Sequence, residues 1–116
     1  MTKNENSTRY HSNLQEQYVA DLLDGRQQSN SGAGHFNKGD VIVRNASLLV
    51  ECKTQTSDKD AMSIKKEWIE TVNTERRQTG LENWAVAIKF GPSSDNYFVI
   101  NEKLMRFLVE KLSESS

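Results

Sequence analysis

The sequence predicts an α/β domain with a central mixed β-sheet flanked by helices, in the order α-β-β-α-β-β-α. Three observations predict it. Two short apolar runs, Val41-Ile42-Val43 and Leu48-Leu49-Val50, are separated by Asn45 and Ala46, a hairpin signature. Segments with apolar residues at helical spacing lie before the hairpin, after it and at the C-terminal end. Between the last two of these stand two further runs rich in β-branched and aromatic residues.

The elements follow in order. Residues 1–11 are polar and without period, so a loose tail is expected, followed by a single domain over 12–112. Ser12 with Gln15 three residues on fits a capping box. Leu14, Tyr18, Val19, Leu22 and Leu23 then recur at helical spacing until Gly25 closes a helix over 13–24. Glu16 projects about 60° from Val19, at the edge of that stripe. The stretch 26–39 is mostly Gln, Ser, Asn and Gly, and Ser31 to Gly34, SGAG, reads as a flexible surface connection or as glycine-freed amides that approach a phosphate. After the hairpin, 54–61 is a polar connection. Ser63 is expected to cap a helix that runs to about Thr79, stops at Gly80 and buries Ile64, Trp68, Ile69 and Val72. Lys65 and Lys66 fall in its first turn, where the helix dipole disfavours cations unless an anion is near. Strands over 84–90 and 97–100 follow, with Lys89 expected to point into the same cleft as Lys53. Asn101 caps a last helix whose Leu104, Phe107, Leu108 and Leu112 form an apolar face; Met105 and Phe107 suit either the core or a dimer surface.

Composition narrows the function classes. With 116 residues, 35% hydrophobic and 27% charged, the chain is an ordinary soluble globular domain with one core. No apolar run approaches the ~20 residues of a membrane span and no signal-peptide core is present, so a cytoplasmic protein is expected. The single cysteine, Cys52, alternates onto an apolar strand face and reads as a buried structural thiol. His11 and His35 lie in different segments without partner cysteines, which argues against a zinc site. A net charge of −1 contrasts with the basic footprint of duplex-binding proteins, although Arg26, Lys38, Arg44, Lys53, Lys59, Lys65 and Lys66 concentrate positive charge mid-chain.

The hairpin carries the chemistry. Alternation puts Leu49, Glu51 and Lys53 on one face and Leu48, Val50 and Cys52 on the other. The loop then decides where Asp40 falls. A two- or four-residue loop sets Asp40 opposite Glu51, and a three-residue loop sets it opposite Cys52. In the first register the carboxylates start from Cβ atoms roughly 4.5 to 5.5 Å apart, close enough to grip one divalent ion, with the Cys52 carbonyl as a further hard oxygen ligand. Lys53 beside them can hold phosphate oxygens and offset developing negative charge. Such a site suits metal-dependent phosphodiester hydrolysis.

Asp40, Glu51 and Lys53 together resemble the PD-(D/E)XK nuclease superfamily, although Gly39 stands at the motif's proline. With the flanks included, helical Glu16, Arg26, SGAG, Asp40, ECK at Glu51 to Lys53, a helix and the strand AVAIKF, the pattern is similar to archaeal-type Holliday junction resolvases and their phage relatives. That resemblance covers about Leu14 to Phe90. It implies a restriction-endonuclease-like fold and a homodimer that makes paired nicks in four-way DNA junctions with Mg²⁺, for which Mn²⁺ can substitute. It also implies that Glu16 contributes to the metal centre, that Ser31 lies near the scissile phosphate, and that Arg26 contacts a phosphate. Gly32, Lys38, Lys65, Lys66 and Lys89 complete the expected DNA-binding set. Two alternatives stand beside it: another endonuclease of the superfamily acting on duplex, nicked or mismatched DNA, and a non-catalytic DNA-binding domain that keeps the fold.

Overall fold

The computed structural model describes residues 8–28 and 40–115. Its elements are α1 (Thr8–Leu23), β1 (Arg26–Gln27), β2 (Asp40–Val43), β3 (Leu48–Thr54), α2 (Lys66–Gln78), β4 (Asn83–Lys89), β5 (Asn96–Val99) and α3 (Glu102–Glu114). The strands form one mixed sheet in the order β1-β2-β3-β4-β5, in which only β3 and β4 run parallel. This is the expected α/β class, with β1 an additional short edge strand that the sequence reading placed in a loop.

Parallel neighbours need a crossover, and α2 supplies it between β3 and β4. The sheet therefore has two distinct faces. On one, Val19 and Ala20 of α1 pack against Val41, Val43, Val50, Cys52, Ala85 and Ala87. On the other, Val72 of α2 packs with Ile42, Leu49, Trp84, Val86 and Ile88, supported by Trp68 and Ile69. β3 and β4 are covered on both faces, which explains their near-continuous apolar sequences. Leu49 is fully buried, and its truncation leaves a cavity between α2 and the sheet. Leu49→Ala is expected to cost about 2–5 kcal/mol of unfolding free energy in urea titrations.

The hairpin resolves its own ambiguity. Arg44 to Ala46 form one 3-10 turn and Ser47 takes the left-handed conformation at φ 49°, so the connection has four residues. Val43 therefore faces Leu48 and Asp40 faces Glu51.

Several boundaries differ from expectation. The first helix begins at Thr8 rather than 13, so 8–11 belong to α1; no glycine or proline interrupts that run, and Tyr10 and His11 pack edge to face at 5.2 Å. Within α1 the buried residues are Gln15, Glu16, Val19 and Ala20, while Leu14, Tyr18 and Leu22 are exposed. Gln15 enters the interior because its amide donates to the carbonyls of Lys53 at 3.1 Å and Ala87 at 3.2 Å, and to Asn96 Oδ1 at 3.0 Å. Gly25 does not take the positive-φ position. Asp24 does, at φ 56°, whereas Gly25 runs so close to β2 that a Cβ would sit 2.7 Å from the Ile42 carbonyl oxygen. Ser63 caps nothing; α2 starts three residues later with Lys65 at its cap, and its stop at Gly80 has φ 76°. Asn101 caps α3 as expected, accepting from the Leu104 amide at 2.8 Å. No residue of α3 is buried, so its apolar face is no part of the core.

Candidate metal centre

The register of the hairpin builds the centre. Asp40 stands at the start of β2 directly opposite Glu51 on β3, on the sheet face covered by α2. α2 brings a third carboxylate. Glu75 follows Trp68 by seven residues and Val72 by three, so it occupies the same inward stripe as those apolar residues. Asp40, Glu51 and Glu75 are all buried, and a carboxylate oxygen from each lies within 4.8 Å of the others.

Three converging acids need compensation. Burial, first, raises the Glu51 carboxyl to about 7; Lys53 opposes that shift, and Glu75 and Glu67 add to it. Glu51 is 7% exposed, and its Oε2 has no hydrogen-bond partner among the described residues. A buried carboxylate with an unpartnered oxygen, grouped with two further carboxylates, is the donor set of a hard divalent cation. The residues present therefore fit a metal ion held by oxygen.

Lys53 lies two residues beyond Glu51 on the same face, half-buried, with its Nζ 5.3 Å from the centroid of the Trp68 ring. That cation–π contact holds the ammonium beside the acids instead of leaving it free in solvent. Arg26 pairs with Ile42, so it lies on the same sheet face at the β1 edge and is exposed. The Gln28 amide donates to the Asp40 carbonyl at 3.0 Å, tying β1 to the start of β2.

Other expected members fall elsewhere. Glu16 is buried, but its Oε1 accepts from Gln27 Nε2 at 3.0 Å and it is absent from the group formed by Asp40, Glu51 and Glu75. Burial raises its pKa, against the lowering effects of Gln27 and Arg9. Lys89 pairs with Thr54 whereas Lys53 pairs with Ile88, so Lys89 lies on the face opposite Lys53 and does not share its cleft. Lys65 and Lys66 are exposed at the start of α2, with Glu67 as the acid of the first turn. The Cys52 thiol is buried on the α1 face, and burial together with nearby Glu16, Asp40 and Glu51 pushes its pKa far up, which makes it an inert packing group. Ser31, Gly32 and Lys38 lie outside the described residues.

Glu75 is the residue the sequence reading missed. Its signal was an acid at an inward position of an amphipathic helix, where Ala or Leu would otherwise be expected.

The raised carboxyl has a thermodynamic consequence. Glu51 takes its proton near 7 in the folded chain and near 4.5 when unfolded. The associated stabilisation is fully present below pH 4.5 and is lost as pH rises through 7. In EDTA, the urea midpoint should therefore fall between pH 5 and 8, and millimolar Mg²⁺ should recover it at pH 8. Glu51→Gln should flatten that decline.

Among the described residues, no helix is long and apolar enough to cross a membrane. Comparison with known proteins gives no match to any family model, curated protein or solved structure.

Proposed function

We propose that the domain is a Mg²⁺-dependent endodeoxyribonuclease of the PD-(D/E)XK type, and that its substrate is the four-way DNA junction, cut by paired nicks from a homodimer. The carrying observation is the meeting of Asp40, Glu51 and Glu75 within 4.8 Å, with Lys53 on the same sheet face. The choice of the junction rests on the sequence resemblance, and the hydrolytic chemistry rests on the residues.

Asp40, Glu51 and Glu75 supply the hard oxygen donors, and Mn²⁺ suits the same set. A divalent cation held there by these three carboxylates would supply Lewis-acid chemistry toward a phosphate oxygen and a bound water. Lys53 donates hydrogen bonds to the charge that accumulates on the scissile phosphate, pre-positioned by the Trp68 ring so that little reorganisation is needed. Arg26, exposed at the sheet edge on this face, is placed to meet a flanking phosphate of the backbone. The acids also repel DNA when no cation neutralises them, so binding and cleavage share a requirement for metal.

The test is a labelled four-way junction beside a linear duplex of the same arms, each with Mg²⁺ and with EDTA. Symmetric Mg²⁺-dependent nicks in the junction alone support the proposal. Equal cutting of both substrates replaces the junction with general duplex cleavage. Tight binding without cutting of either one favours a non-catalytic DNA-binding domain.

A further inference from the structure

Lys53 leaves the sheet at a weakly braced point. The β2 register ends with Asp40 opposite Glu51, so among the described residues β3 has a neighbouring strand on one side only where Lys53 emerges. Thr54 is the last residue of that strand. Element ends open locally at little cost unless something outside the ladder holds them. The Trp68 ring holds the ammonium at the far end of a flexible four-carbon stem, and the root of that stem needs a hold of its own.

α1 supplies that hold from behind. Gln15 is 1% exposed on the α1 side of the sheet, whereas Lys53 lies in register with Ile88, on the α2 side. The Gln15 Nε2 donates to the Lys53 carbonyl at 3.1 Å, to the Ala87 carbonyl at 3.2 Å and to Asn96 Oδ1 at 3.0 Å. These acceptors belong to β3, β4 and β5, so one amide group joins three strands at the rung from which Lys53 departs. Its two hydrogens are shared among three acceptors. Gln15 stands four residues before Val19, in the buried stripe of α1. Burying an amide costs stability unless its donors are satisfied, and methionine would fill a similar volume there without that cost. The polar side chain is therefore informative.

We infer that Gln15 is a positioning residue: by holding the Lys53 carbonyl from the α1 face, it sets the direction in which the Lys53 side chain leaves β3 toward the three carboxylates. The inference rests on the role proposed for Lys53 in phosphodiester hydrolysis. A donor to transition-state charge must stay within about 0.5 Å of its productive place. A tilt of the Lys53 peptide turns its Cα–Cβ bond, and the long stem magnifies that tilt at the ammonium. Gln15 works from the opposite face of the sheet, so it acts through Lys53 and not on the phosphate.

The experiment pairs NMR of the full chain with single-turnover cleavage. In the wild type, the Trp68 ring should shift the Lys53 ε-methylene protons upfield. Gln15→Met keeps the volume, and Gln15→Asn keeps the amide but is one methylene too short to reach. Each should lose most of that shift while circular dichroism still reports a folded chain. Val19→Ala is the control, since it removes core contacts of the same helix: it should lower the urea midpoint without moving the Lys53 resonance. Under saturating enzyme and metal, both Gln15 variants should cleave at least about tenfold more slowly. Their Mn²⁺ affinity should be unchanged, and neither substitution should slow Lys53→Ala further. An unmoved Lys53 resonance in a folded Gln15 variant overturns the inference, as does a further loss of rate when Gln15→Met is added to Lys53→Ala. Loss of the fold in both Gln15 variants also overturns it, by assigning the amide to stability alone. The NMR arm needs neither DNA nor turnover, so a wild type that cuts nothing would sink the nuclease reading while still deciding whether Gln15 positions Lys53.

Discussion

Lys53→Ala is expected to lower Mg²⁺-dependent phosphodiester cleavage by about 10²–10³-fold while DNA affinity changes little. That magnitude is typical for removal of one pre-positioned donor to transition-state charge. Lys53 is half-buried and held over the Trp68 ring, so alanine leaves no donor at that position. Lys89, the other lysine expected in this cleft, lies on the opposite sheet face. Lys53→Arg should not restore the rate, because the planar guanidinium places its donors differently from a compact ammonium. The measurement is single-turnover cleavage at saturating enzyme, with binding followed separately in Ca²⁺. A Lys53→Ala rate within threefold of wild type would remove this side chain from the chemistry.

The second large effect separates two glutamates. Glu75→Gln removes one anionic donor from the group of three and should weaken Mn²⁺ binding at least about tenfold, with cleavage falling in step at limiting metal. Glu16→Gln should change Mn²⁺ affinity far less, because Glu16 is engaged with Gln27 and stands outside that group. Mn²⁺ titration followed by electron paramagnetic resonance reads affinity directly, without turnover. If Glu16→Gln weakened ion binding and Glu75→Gln did not, the centre would follow the sequence resemblance and not the grouping of Asp40, Glu51 and Glu75.

Why one pair of acids was legible and the third was not has a local cause. Asp40 and Glu51 sit on adjacent strands of one hairpin, so alternation and loop length limited them to two arrangements, and the four-residue turn chose between these. Glu75 reaches the same point from a crossover helix, and no short-range pattern says where that helix lies along the sheet. Lys89 was misplaced for a related reason. Its face depends on the register between β3 and β4, which is set by packing of α2 and not by any turn. The α1 stripe misled differently: its leucines and tyrosine do mark an apolar surface, but the interior is served by Val19, Ala20 and the hydrogen-bonded Gln15.

The order of elements was readable because each boundary carries its own chemistry. Gly80 ends α2 with a positive φ and Asn101 caps α3 through its side chain. Ser63 shows the limit of such signals. A capping residue type three positions upstream did not start α2, which begins with Lys65 as an uncapped entry.

A divalent cation held by Asp40, Glu51 and Glu75 should be visible to Fe²⁺-directed backbone cleavage. Fe²⁺ bound in place of Mg²⁺, with ascorbate and peroxide, cuts the polypeptide next to the metal. Fragments ending near residues 40, 51 and 75, suppressed by excess Mg²⁺ and lost in Glu51→Gln, are the predicted result. Cleavage centred elsewhere, or none that Mg²⁺ suppresses, would mean that these three carboxylates do not hold the ion.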